Sequence, residues 1–150
     1  MVSWRYRRGM SSTTTRPVLD PATTVRTFLA LLEDHAVDQA LEYVDPGMVW
    51  RNTGLPTVRG KIVRRLLRGM NSDSISFRAD MHHVAADGAF VLTQRTDYLR
   101  IGPIEAEFWV CGTFEVRDGK VVLWDDHFSW GNVMVGTLRG VLRTARSAVR

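Results

Sequence analysis

From Ser74 to Phe128 the chain alternates with a period of two and is interrupted only by tight turns, which constrains its fold more than any other feature. The spacing predicts four consecutive strands: Ser74 to Ala85, Ala89 to Ile101, Ile104 to Val116, and Lys120 to Phe128. Asp87-Gly88 and Asp118-Gly119 supply residues that tolerate positive φ, as a short hairpin loop requires, and Gly102-Pro103 turns the chain between them. Four long strands joined this way form an antiparallel sheet, and one of its faces must be covered to bury the apolar residues.

The cover is written upstream, where the period changes to that of a helix. Asp20-Pro21 is a helix start, an N-cap carboxylate followed by proline, and Val25, Phe28, Leu29 and Leu32 form one apolar stripe behind it. A short helix is expected from Asp38 to Val44, ended by Asp45-Pro46-Gly47, then a strand over Met48 to Asn52. A turn at Gly54-Leu55-Pro56 leads to a third helix, Gly60 to Met70, with Ile62, Leu66 and Leu67 inward. After the last strand, Gly131 to Val149 reads as a helix with Val135, Leu138, Leu142 and Ala145 on one side. The expected class is α+β: a strongly curved, mostly antiparallel sheet capped by N-terminal helices, with a C-terminal helix. One domain, 18–150, follows a basic tail over 1–17. A curved sheet closed by helices encloses a cone with one open end, a natural pocket for a small molecule.

A net charge of +4 suggests an anionic partner until it is mapped. Arg5, Arg7, Arg8 and Arg16 give the first sixteen residues +4 with no acid, and Arg139, Arg143, Arg146 and Arg150 do the same for residues 131–150. The stretch between them nets −4. A nucleic-acid-binding core is therefore not expected. No apolar segment follows the N-terminal arginines, so a secretory signal is not expected and a cytoplasmic place is. The terminal helix is expected to dock on the domain or pack in a dimer, and contact of the basic termini with a membrane surface ranks below both.

Strand parity then groups the polar residues. Arg95, Asp97 and Leu99 share a face, as do Trp124, Asp126 and Phe128, and as do Met48, Trp50 and Asn52. A charge on a helix-covered strand face needs a partner. If these faces meet, Arg95 lies between Asp97 and Asp126 and hydrogen-bonds both, as a planar guanidinium does and an ammonium does not. Two carboxylates in one apolar pocket titrate as a pair that retains a proton near neutrality, an acid and a base in one place. The same strings also describe a structural ion network, or three exposed side chains at a sheet edge.

Taken in order, Trp50-x-Asn52, Gly60, Arg95-x-Asp97, Gly112-x-Phe114, Asp118-Gly119 and Trp124-x-Asp126-x-Phe128 resemble the limonene-1,2-epoxide hydrolase family, within the SnoaL-like and NTF2-like cone folds. Ile101-Gly-Pro and Phe108-Trp-Val-Cys-Gly resemble its actinobacterial branch. The resemblance covers about Val18 to Phe128. It implies a one-step, cofactor-free hydrolysis of an epoxide to a vicinal diol. Asp97 would be the acid at the epoxide oxygen, Asp126 the base on the attacking water, Arg95 the bridge, and Asn52 a holder of the water. It implies a homodimer, and a bulky lipophilic substrate such as a terpenoid or sterol epoxide. The expected apolar lining is Leu32, Met48, Leu66, Leu99, Phe108, Val110 and Phe128. Trp50 departs from the family's tyrosine: an indole N–H donates a hydrogen bond and accepts none. Two alternatives on the same fold are a ligand-binding cone without catalysis and an isomerase or cyclase of ketosteroid type.

Other signals are set aside. His82 and His83 are adjacent in a strand and point to opposite faces, so they do not chelate as a pair. Alternation separates Asp126 from Asp125 and His127, and Arg95 opposite would repel a cation, so no metal is expected. Cys111 is expected as a buried packing residue, and Lys61, Arg64, Arg65 and Arg68 as a solvated helix face.

Overall fold

The computed structural model describes residues 18–148, so the expected N-terminal tail lies outside the described residues. Helix α1 (Pro21–Glu33) begins where the sequence says: the Thr23 amide donates to Asp20 Oδ1 at 3.0 Å, and Val25, Phe28, Leu29 and Leu32 turn inward with Thr24. Helix α2 is only Val37–Ala40 and continues as a 3-10 turn, Leu41–Tyr43. Strand β1 (Val44–Asn52) already includes Asp45-Pro46-Gly47, which was expected to end the preceding helix. The motif bulges inside the strand instead, because the register against the neighbouring strand shifts between Val44 and Val49 and Asp45 Oδ1 takes the Gly47 amide at 2.7 Å.

The two-residue strand β2 (Val58–Arg59) leads through Gly60, at φ +52, into α3 (Lys61–Gly69). This helix buries Val63 and Leu67, whereas Ile62 and Leu66, expected inside, are about half exposed. Both pairs are spaced i, i+4, so periodicity alone could not choose between them; contact with β1 did. Then come β3 (Ile75–Asp87), β4 (Phe90–Ile101), β5 (Ile104–Arg117) and β6 (Lys120–Phe128), joined by the three expected turns. The sheet order is β2-β1-β6-β5-β4-β3, antiparallel except for the β1–β6 pair.

The expected α+β cone is what forms. Its core lies between the helices and the covered face of a curved sheet, with Phe28 edge-on to Trp124 and Phe114 stacked on it. Helix α4 (Trp130–Ala148) does not use its expected apolar side for docking. β6 ends at Phe128, opposite Val110, so β5 is a free edge from Ile104 to Trp109, and α4 lies along it. Gly136 and Gly140 meet the carbonyl oxygens of Glu107 and Glu105 so closely that a methyl at either position would overlap them. Close backbone approach, not large side chains, therefore seats the helix. Val135, Leu138, Leu142 and Ala145 stay exposed as a result. Among the described residues no helix is long and apolar enough to cross a membrane.

Candidate active site

A cavity of about 370 Å³ lies against the sheet, lined by residues of β1, β3, β4, β5, β6 and the start of α4. Leu99, Phe108 and Phe128 line it, as expected, together with Trp50, Asn52, Asp97 and Asp126. Leu32, Met48 and Val110 do not reach it: all three are buried in packing behind the wall. Leu66 is outside, on the exposed side of α3. The lining not anticipated comes from Leu55, Met70, Ile75, Phe77, Ile101, Ala106, Trp124, Trp130 and Val133. Trp124 was legible, since it shares parity with Asp126; Trp130 and Val133 depend on how α4 crosses the sheet edge.

The polar groups converge at the inner end. Arg95 is fully buried between the two carboxylates. Its Nε donates to Asp97 Oδ1 at 2.8 Å and its Nη2 to Asp97 Oδ2 at 3.1 Å. The same Nη2 donates to Asp126 Oδ2 at 2.6 Å, and Nη1 donates to Thr93 Oγ1 at 2.9 Å. Three of the five guanidinium protons thus go to carboxylates and one to a buried hydroxyl.

The sheet register explains the convergence. Asn52, Asp126, Gly112 and Thr93 face one another across β1, β6, β5 and β4, one row through four strands. At Gly112 the row has no side chain, and the Arg95 guanidinium occupies that space: a methyl there would overlap Nη1 and stand 2.7 Å from both Asp126 Oδ1 and Thr93 Oγ1. Thr93 was not singled out from the sequence, although the parity that grouped Arg95 with Asp97 includes it.

Burial penalises charge here. Asp97 is pushed up to about 6, by desolvation first and by the neighbouring Asp126 as well, against the pull of Arg95. Asp126 is also raised, again by burial before anything else, and Arg95 opposes the shift. Desolvation works against the Arg95 charge, but the two carboxylates more than offset it and hold its pKa above the usual range. The pair therefore retains a proton in a range where free aspartates would have lost both.

Three buried polar atoms beside this network have no hydrogen-bond partner among the described residues: Asp126 Oδ1, an acceptor, and two indole donors, Trp50 Nε1 and Trp124 Nε1, of which Trp124 also favours the charged form of Asp126. Trp50 stacks on Trp124 at 4.7 Å between ring centroids, which fixes the plane of its indole. The outer face of β6 is different in kind. Asp125 and His127 point away from the cavity, and Asp125 lies 3.6 Å from Arg51 and 3.5 Å from His127. His82 bonds Thr96 at 2.8 Å. Cys111, expected to be buried, is exposed, because inward Gly112 puts its neighbour on the uncovered face of the sheet. No group of three or more His, Cys, Asp or Glu among the described residues is placed to hold a metal.

A family model of the limonene-1,2-epoxide hydrolase catalytic domain matches residues 19–139. Epoxide hydrolase EphG of Mycobacterium tuberculosis is 40% identical over 119 residues, 79% of this chain and 79% of that one. The solved structure of an M. tuberculosis LEH-like epoxide hydrolase superposes with a TM-score of 0.80 at 38% identity, covering 85% of this chain and 96% of that chain. A putative SnoaL-like polyketide cyclase from Shewanella putrefaciens shares the fold alone, with a TM-score of 0.67 at 11% identity over 78% of this chain and 94% of that chain.

Proposed function

The chain belongs to the limonene-1,2-epoxide hydrolase family, and from that premise we propose that it hydrolyses a lipophilic epoxide in one step at Asp97, Arg95 and Asp126. The observation that carries the reading is one fully buried arginine shared by two carboxylates at the inner end of an otherwise apolar cavity. Protonated Asp97 gives its proton to the epoxide oxygen as the C–O bond breaks. Ionised Asp126 takes a proton from the water whose oxygen forms the new C–O bond. The diol leaves with both oxygens, the two acids have exchanged protonation states, and proton exchange through solvent restores them. Ring strain supplies much of the driving force, so a concerted push and pull suffices. An isomerase of ketosteroid type would use one carboxylate base and an oxyanion donor, and has no use for an arginine held between two aspartates.

Single-turnover hydrolysis in oxygen-labelled water tests the step. With enzyme in excess, label enters the diol in the first turnover; an unlabelled first-turnover diol, with label appearing in an aspartate, would mean a covalent ester and overturn the reading.

Trp50 takes the tyrosine's place without emptying the water site of partners. A nucleophilic water donates its two protons, to Asp126 Oδ1 and to the Asn52 amide oxygen. It accepts one hydrogen bond from Trp50 Nε1, and its remaining lone pair attacks. That arrangement requires a donor at residue 50 and no acceptor, and the unpartnered indole N–H is a donor. Trp50→Phe is expected to lower kcat by roughly ten- to a hundredfold, the effect of one lost buried hydrogen bond. Trp50→Tyr should stay within about tenfold of the parent. If Trp50→Tyr instead created activity in an otherwise inert protein, the parent would be a ligand-binding cone.

The substrate class follows from the walls, which are aromatic and aliphatic apart from the catalytic groups and Asn52. An uncharged terpenoid or sterol-like epoxide suits them. The uncovered sheet face, where Leu92 and Trp109 are exposed, is the surface for a homodimer, read by elution mass. The cytoplasm is its compartment.

A further inference from the structure

The seating of α4 through Gly136 and Gly140 leaves a second surface open. Trp130, Met134, Leu138, Val141 and Leu142 recur at helical spacing along its outer side, from 42% exposed at Val141 to 72% at Met134. The stripe starts on the cavity wall, because Trp130 lines the pocket and its Nε1 donates to Thr53 O at 2.8 Å. At the far end, Thr144 bonds Pro103 O in the β4–β5 turn, so the helix spans between two segments whose Leu55 and Ile101 line the pocket and are themselves half exposed. Beside the apolar stripe runs a row of cations, Arg139, Arg143 and Arg146, spaced i, i+4, i+7 on a helix that contains no acid. Arg143 reaches Glu105 at 3.6 Å; among the described residues no acid pairs with Arg139 or Arg146.

We propose that α4 is an interfacial helix that seats the mouth of the cavity on an anionic phospholipid surface. An apolar stripe flanked by arginines, lying parallel to a surface, is the pattern by which amphipathic helices enter the headgroup boundary. A second copy fits less well. Two α4 helices packed antiparallel through this stripe would bring arginine rows of the same sign together. A bilayer instead holds the kind of molecule an apolar cavity accepts. The inference rests on the epoxide-hydrolase reading only for the lipophilicity of the substrate.

Co-sedimentation of the full chain with vesicles tests it without any turnover, so its failure is distinguishable from failure of the hydrolase assignment. The protein is expected to sediment with mixed phosphatidylglycerol and phosphatidylcholine vesicles, and to stay in solution with phosphatidylcholine alone. Leu138→Ser with Leu142→Ser, and separately Arg139→Glu with Arg146→Glu, should each reduce partitioning at least about tenfold. Hydrolysis of a small water-soluble epoxide should not change in either variant, since none of the four residues lines the cavity. Three results overturn the proposal. The parent could fail to bind anionic vesicles, both double variants could sediment like the parent, or the Leu138→Ser, Leu142→Ser variant could halve the elution mass while vesicle binding is absent throughout, which would make the stripe a contact between copies.

Discussion

Asp97→Asn and Asp126→Asn are each expected to reduce diol formation by about 10² to 10⁴-fold, the range that a positioned general acid or base contributes. Neither should unfold the protein. Asparagine has the size of the protonated acid, and either variant leaves Arg95 one carboxylate partner at hydrogen-bond distance. The pH dependence separates a chemical role from a structural one. Asp97 is raised to about 6 from an unperturbed 3.8, so kcat/KM should fall above about pH 6 as the pair loses its retained proton. An acidic limb reports the base, which must be ionised to take a proton from water. Stability moves with the same group. Its folded pKa lies above its unfolded one, so the folded state binds the proton more tightly, and the stability this group contributes is fully present below about pH 4. It is lost as pH rises through about 6, by an amount on the order of 3 kcal/mol. Asp97→Asn should flatten that loss while lowering turnover by the factor above. Full activity in either asparagine variant would remove the carboxylates from the mechanism.

The strand half of the fold was legible because period-two alternation, Asp-Gly turns and matched strand lengths all point to the same sheet. The Asp–Arg–Asp cluster followed from parity, since a buried strand face does not leave Arg95 or Asp126 unpaired. What was not legible depended on contacts that side-chain size does not encode. Met48 shares parity with Trp50 and Asn52, yet the β1 bulge and the covering helices put it in packing behind the wall. In α3, two apolar pairs with identical spacing compete, and only the approach of β1 selects Val63 and Leu67. In α4 the large residues suggested the buried face, while two glycines made the contact because β6 stops short and exposes the β5 backbone. Hydrophobic periodicity identifies a face that would gain from burial; backbone proximity decides which face gets it.

Gly112→Ala is expected to disable the site almost as fully as losing an aspartate, although residue 112 touches no reacting atom. The φ at Gly112 is not in the left-handed region, so the backbone there would accept alanine; only space forbids it. The added methyl would overlap Arg95 Nη1 and stand 2.7 Å from Asp126 Oδ1 and Thr93 Oγ1. None of the three neighbours moves cheaply. Arg95 is fully buried, and shifting it breaks the bonds to Thr93 at 2.9 Å and to Asp126 at 2.6 Å together. A buried ion pair that loses one partner destabilises a fold by about 3–5 kcal/mol, more than the one or two that simple overpacking costs. Urea denaturation should show that drop, and kcat should fall at least about a hundredfold with the acid and base no longer held together. Cys111→Ala is the matched control: it is one residue away on the same strand, faces outward, and should change neither quantity. If Gly112→Ala kept the parent's midpoint and kcat, the empty position in the β1–β6–β5–β4 row would not be what seats Arg95, and the convergence of the two carboxylates would need another cause.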